Sequence, residues 1–288
     1  GNTVPVWMEL PADLETPVSI FLKLARKEKH AFLLESVELE ERLGRFSLIG
    51  LEPEVIVEYR RDQGVVTRNG KRPEGIRYSL LGIIQGVLKQ YRLVRDLKLP
   101  ALVGGLVGYI GYELVQQFED VKLREKRGLP LPDAVLFFPR NLVVFDHIKH
   151  ELKLIHLAIC HQGAKKAYRR AIQQLKRLEL QLKRPLSIQV AGKVQKRPSV
   201  KLRSQMGRKR YEDLVRQAKR YIRAGECIQI VLSQQFRLGS VSDAFKLYRA
   251  LRSLNPSPYM FYFRHRDLFL VGSSPEMLVK KTGTLAEI

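Results

Sequence analysis

Residues 140–158 read RNLVVFDHIKHELKLIHLA. Arg140–Asp146 and Glu151–Ala158 are apolar stretches of strand length, and the short turn His147–His150 joins them. Two strands joined so closely run antiparallel, because a parallel pair needs a long crossover. The same reading extends in both directions. Upstream, Ala31–Val37 reads as a strand, and Glu54–Tyr59 alternates so that Val55, Val57 and Tyr59 share one face. Downstream, Tyr259–Phe263 and Leu268–Val271 pair across Arg264–Asp267.

Helices are scattered among these strands. Thr16-Pro17 is a cap followed by proline at the first helical position, and Val18, Phe21, Leu22 and Ala25 follow at helical spacing. Leu80, Ile83, Ile84, Val87, Leu88 and Tyr91 mark a second helix. Ala164, Tyr168, Ala171, Leu175, Leu178 and Leu182 mark the buried stripe of a third. Tyr211, Leu214, Ala218 and Tyr221 mark a fourth, ended by Gly225, and Ser242 caps a fifth that carries Phe245, Tyr248 and Leu251. The class is α+β with mainly antiparallel sheets.

At 288 residues and 45% hydrophobic, the chain is long enough for one large domain or two smaller ones. Pro185–Met206 has no sustained period and is rich in Lys, Arg, Gln and Ser. The expected division is therefore 1–184, a basic linker at 185–207, and 208–288. Cys160 and Cys227 form neither a disulfide framework nor a zinc site, which fits a reducing cytoplasm. No apolar run reaches bilayer length. Gly1–Leu10 has no signal-peptide pattern, and the missing initiator Met suggests a start inside a gene product.

The charge is +22, from 51 Lys+Arg against 29 Asp+Glu, and it is densest from Lys165 to Arg223. Nucleic acid, an anionic membrane surface and an anionic small molecule are all attracted by such a field. Between Arg169 and Arg210 there is no Phe, Tyr or Trp, so a stacking nucleic-acid groove is disfavoured against solvated helix faces.

The chain has no GxxxxGK[ST], HExxH or GxSxG motif. Gly104 to Val115, GGLVGYIGYELV, reads as close backbone packing in a sheet rather than a dinucleotide fingerprint. Ile228–Leu238 reads as a strand with Ile228, Ile230 and Leu232 on one face. Gln229, Val231, Ser233 and Gln235 line the other, an uncharged polar face that suits a ligand cavity. Gly272-Ser273-Ser274-Pro275-Glu276 is a small-residue turn that holds Glu276 at its edge. Asn255–Met260, braced by prolines, offers mainly carbonyl acceptors.

Taken in order, these pieces resemble one family. Leu33-Leu34-Glu35-Ser36 with Gly44–Gly50, Gly104–Glu113, Tyr221–Phe236 (YIRAGECIQIVLSQQF), Asn255–Phe261 (NPSPYMF) and Gly272–Glu276 are similar to five motifs of anthranilate synthase component I, among the chorismate-utilising enzymes. The resemblance covers essentially the whole chain. It implies two mainly antiparallel sheets packed together and flanked by helices, truncated at the C-terminus. It implies a synthase subunit that makes anthranilate and pyruvate from chorismate, with ammonia supplied by a partner glutamine amidotransferase subunit.

By the same resemblance, Glu276 is the general acid at the departing 4-hydroxyl, which calls for a buried, protonated carboxyl. Gln229 stands where relatives that add water carry a Lys base; a neutral amide suits ammonia, and this argues against isochorismate and salicylate synthases. Leu34, Glu35, Ser36, Pro258, Tyr259 and Met260 match the family's L-tryptophan feedback site, with Leu34 and Met260 as walls for the indole. Mg²⁺ is expected in the complete enzyme, its ligands falling beyond Ile288, and the fragment alone is expected to be inactive. Gln235, and Glu226-Cys227, depart from the family pattern. The rivals are aminodeoxychorismate synthase and a non-catalytic basic protein that binds an anion or nucleic acid.

Overall fold

A computed structural model describes residues 1–36, 44–69, 71–100, 103–121, 129–186, 202–239 and 241–287. Two compact units form, Gly1–Leu186 together with Ala244–Ile288, and Ser187–Asp243. The chain leaves the first unit after Leu186 and re-enters it at Ala244. Most of the expected basic linker, residues 187–201, lies outside the described residues, as does Val37 at the end of an expected strand.

In chain order the first unit begins with β1 (Thr3–Pro11), α1 (Pro17–Leu24), β2 (His30–Glu35), β3 (Phe46–Arg60), β4 (Gln63–Arg68) and β5 (Glu74–Ile76). It continues with α2 (Leu80–Gln90), β6 (Val107–Ile110), β7 (Ala134–Asp146), β8 (Glu151–Ile159) and α3 (Ala164–Leu182). The second unit holds β9 (Arg203–Ser204), α4 (Arg208–Arg223) and β10 (Phe236–Arg237). The chain returns to the first unit with α5 (Ala244–Leu254), β11 (Tyr259–His265), β12 (Leu268–Ser274), β13 (Lys280–Thr282) and β14 (Leu285–Glu287).

Ten of these strands make one antiparallel sheet along the path β1-β8-β7-β3-β2-β11-β12, with β4, β5 and β6 off that path. β3 and β7 are its longest strands. Along Leu48–Leu51, β3 is flanked by β2, and along Val55–Arg60 by β4. β7 follows β3 throughout, with a register shift between Pro53 and Val55 that leaves Glu54 as an extra residue. A bulge of this kind bends a strand and lets it pass from one layer to the next. Glu52 sits at the bend with φ of 51°, in the left-handed region.

Two cores result. The first lies within the bend and behind it. Phe137 of β7 stacks on Phe263 of β11 at 4.6 Å, while Phe138 meets Tyr91 at the end of α2 at 5.0 Å. Val55, Val57 and Tyr59, the predicted face, are fully buried here with Leu80, Ile83 and Val87 of α2. The second core packs α1, α3 and α5 on the outer face through Ile20, Phe21, Leu175, Leu178, Phe245 and Tyr248. Each such side chain contributes about 1.5–3 kcal/mol when removed from water.

Local signals explain the ends of several elements. Thr16 accepts from Ser19 N at 3.1 Å and Ser19 Oγ accepts from Thr16 N, a complete capping box ahead of Pro17. The first residue of α5 is Ala244, so Asp243 rather than Ser242 precedes it. On α3 the buried stripe is Ala171, Leu175, Leu178 and Leu182. Ala164 and Tyr168, expected on it, are exposed. At Gly108 an added Cβ would sit 1.9 Å from the Val135 carbonyl oxygen, so β6 requires glycine for close backbone approach, as the sequence suggested.

The second unit departs from expectation. α4 ends on Gly225 with φ of 78°, as read. The strand Ile228–Leu238 does not form beyond Phe236–Arg237, which pairs with β9. Among the described residues no strand runs beside 228–234, Gln205 N reaches only the Gln235 carbonyl at 3.0 Å, and Ile228 and Val231 stay exposed. A strand pattern becomes a strand only beside a partner that satisfies its backbone groups.

Candidate functional site

The sequence motifs at Leu34–Ser36 and Pro258–Met260 meet in the first unit. β2 and β11 are antiparallel neighbours, with Glu35 opposite Met260 and Leu34 opposite Phe261. Directly opposite residues share a face and successive residues alternate. Glu35 and Met260 therefore point to one side, and Leu34 and Phe261 to the other. Leu34 and Met260, expected as walls for the indole, thus stand on opposite faces of the sheet. Met260 is fully buried in the second core, whereas Leu34 packs half-buried on the first.

Glu35 is buried beneath α5. The Tyr248 hydroxyl donates to Glu35 Oε2, and Arg252 Nε donates to the same oxygen at 3.1 Å. Burial and the neighbouring carboxylate both push the Tyr248 phenol well above its usual range. Among the described residues Glu35 Oε1 has no hydrogen-bond partner, nor have the buried hydroxyls of Ser36 and Ser257. Ser36 follows the last residue of β2, and Ser257 lies just ahead of β11, so both lie beyond the same end of the strand pair. Unpaired buried polar groups are costly, and a ligand that pairs with them recovers that cost. Tyr259, partly exposed, follows at the start of β11.

The sequence did not single out Tyr248 and Arg252 as site residues. Helical spacing marked Tyr248 as core; the need of a buried phenol for a partner was the available signal. His147 Nε2 lies 2.7 Å from Ser47 Oγ, and burial lowers the His147 pKa.

The Gly272–Glu276 segment is placed beside this region by β12, where Gly272 opposes Phe261 and Ser273 opposes Met260. A Cβ on Gly272 would fall 2.1 Å from the Phe261 ring. Gly272 therefore belongs to a strand and makes room for an aromatic ring rather than opening a turn. Ser273 Oγ donates to the Asn255 carbonyl at 2.7 Å, tying the two motifs together and using one of the carbonyls expected to be free. Glu276 follows in a bend and is exposed, so the burial expected of a general acid is not provided. Gln229 is exposed in the irregular segment of the second unit.

Cys160 and Cys227 are both free thiols. Among the described residues no three His, Cys, Asp or Glu side chains group as a divalent cation would require. Among them, too, no helix is long and apolar enough to cross a membrane.

An antiparallel α+β scaffold that gathers these motifs along three neighbouring strands defines a class of enzyme. Residues 29–288 match the family model described as chorismate binding enzyme, and the chain belongs to that family. It is 38% identical over 291 residues to anthranilate synthase component 1 of Synechocystis sp. (97% of this chain, 57% of the relative) and 33% identical to that of Acetivibrio thermocellus (99% and 58%). The crystal structure of anthranilate synthase component I from Streptococcus pneumoniae TIGR4 superposes with a TM-score of 0.67 at 24% identity, covering 96% of this chain and 59% of that one, and so shares the fold. The chain spans somewhat more than half the length of these relatives.

Proposed function

We propose that the protein containing this chain converts chorismate and ammonia to anthranilate, pyruvate and water. Ammonia adds at C2 of chorismate and the 4-hydroxyl leaves as water. Pyruvate is then eliminated and the ring becomes aromatic. Glu276 is the proton donor to the departing hydroxyl, and the neutral amide of Gln229 leaves the ammonia nucleophile free of competition from an activated water. The observation that carries this reading is Gln229 within Tyr221–Phe236, in a chain whose curated relatives are anthranilate synthase components. A glutamine amidotransferase subunit is the expected ammonia source, and a site for Mg²⁺ is expected outside this chain.

The same reading assigns L-tryptophan as a feedback inhibitor. Its support is the Ser36 and Ser257 hydroxyls, without hydrogen-bond partners among the described residues, beyond one end of β2 and β11 and beside partly exposed Tyr259. Because β2 also holds α5 through Glu35, an occupant there is coupled to the packing of the helix that precedes the Asn255–Phe261 motif. The test is ammonium-dependent anthranilate fluorescence from chorismate in a chain extended to the length of its relatives. Anthranilate supports the proposal. Isochorismate or 4-amino-4-deoxychorismate as sole product overturns it.

A further inference from the structure

A cavity of about 630 Å³ opens at the bend of the sheet, between β3, β4, β7, the end of α2 and the start of α3. It shares no residue with the motifs that carry the proposed reaction. Its walls include Arg68, Lys71, Arg140, Lys166 and Arg170, against the carboxylates Glu52 and Glu54.

Glu52 is engaged by hydrogen bonds, whereas Glu54 is held by an ion pair and its buried Oε2 accepts no hydrogen bond among the described residues. Glu52 accepts from Asn141 Nδ2 at 2.8 Å, from Gln174 Nε2 at 2.6 Å and from Arg177. Glu54, the bulge residue, pairs with Arg140 at 3.0 Å. Arg68 is held by Glu74 at 2.8 Å. Lys71, Lys166 and Arg170 have no ion pair among the described residues, so the uncompensated charge of the cavity is positive.

Two further features face the same way. Arg140 Nε is buried without a hydrogen-bond partner among the described residues, as is Glu54 Oε2. The α3 helix begins at Gly163, which lines the cavity and offers no side-chain cap to the amides of the first turn. Lys166, Ala167, Arg170, Gln173 and Gln174 then continue along one stripe of that helix into the wall. Helix amides, an arginine fork and lysines together fit a tetrahedral dianion better than a lone carboxylate. The volume is that of a small-molecule site rather than a single ion.

We propose that this cavity binds a small phosphorylated anion, held by Arg140, Lys166, Arg170 and the N-terminus of α3. The phosphate lies at the helix terminus and the rest of the molecule extends toward Tyr91 and His161. This site is independent of the chorismate reading and survives or fails without it.

The test uses the 288-residue chain with inorganic phosphate and pyrophosphate, read by ³¹P line broadening at an ionic strength fixed with sodium chloride. Saturable broadening is expected, with pyrophosphate tighter than phosphate. The exposed replacements Lys166→Glu and Arg170→Glu should each weaken binding by about tenfold or more, as loss of a charge-assisted contact does. Lys176→Glu, on the same helix but outside the cavity, should leave it unchanged, and circular dichroism checks that all three variants remain folded. Absence of saturation, or equal weakening by Lys176→Glu, overturns the proposal by leaving only general attraction to a basic surface.

Discussion

Glu35 and Tyr248 meet across the buried seam between β2 and α5, the phenol donating to one carboxylate oxygen while Arg252 holds the same atom from 3.1 Å. A carboxylate so deeply buried is tolerable only with such partners. Tyr248→Phe removes one of them while keeping the ring. The expected loss is about 1–3 kcal/mol, read as a lower denaturation midpoint at unchanged slope. An unchanged midpoint would show that the hydroxyl contributes nothing net.

Gly272 and Phe261 make a second pair of this kind. Gly272→Ala sets a methyl where the ring lies, and overpacking of that order costs about 1–3 kcal/mol. In a Phe261→Leu background the same replacement should cost less, since the two positions share one space. Strict additivity of the two losses would argue that the clash is relieved elsewhere.

Acid should weaken the first unit through its buried imidazoles. Burial lowers the pKa of His156 from 6.5 to about 4, and His156 Nδ1 lies 2.6 Å from Asn141 Oδ1. The unfolded imidazole takes up a proton as pH falls below 6.5, whereas the folded one resists until about 4. Stability is therefore full above pH 6.5 and falls through that window, by about 1.4 kcal/mol per pH unit for this group. His30, lowered to about 4 by burial beside His265, acts in the same direction. Denaturation midpoints measured across the window should show a shallower acid slope in His156→Gln.

The effector reading is tested by Ser36→Ala. Losing one hydrogen bond of about 1 kcal/mol should raise the L-tryptophan concentration needed for half-maximal thermal stabilisation of the chain roughly fivefold. Tryptophan response identical to that of the parent would remove Ser36 from the proposed site.

Gln229→Lys, in the extended enzyme, places a candidate base where the amide stands. Anthranilate formation should fall by about a hundredfold, with a hydrated product appearing in its place, because general-base activation of water is worth about that much. Product analysis by chromatography decides it; continued amination at the parent rate would detach Gln229 from the choice of nucleophile.

Much of the fold was legible in single segments. Residues 140–158 announced an antiparallel pair, and β7 and β8 pair from Asn141–His156 to Asp146–Glu151. Thr16-Pro17 announced a capped helix, and Val55, Val57 and Tyr59 announced a buried face. Residues 228–235 carried an equally clear alternation yet form no strand, because alternation specifies a face and leaves the partner unspecified. Ala164 and Tyr168 continued a helical stripe yet are exposed.

The sequence by itself determined most element types, the motif order and the family, since periodicity, caps and motifs are properties of neighbouring residues. Only the tertiary structure decided that Glu35 stands against Met260, that Leu34 and Met260 face opposite ways, and that Glu54 bulges where the sheet bends. Those are matters of register, set by pairing between segments far apart in the chain, and a slip of one residue would reverse every face.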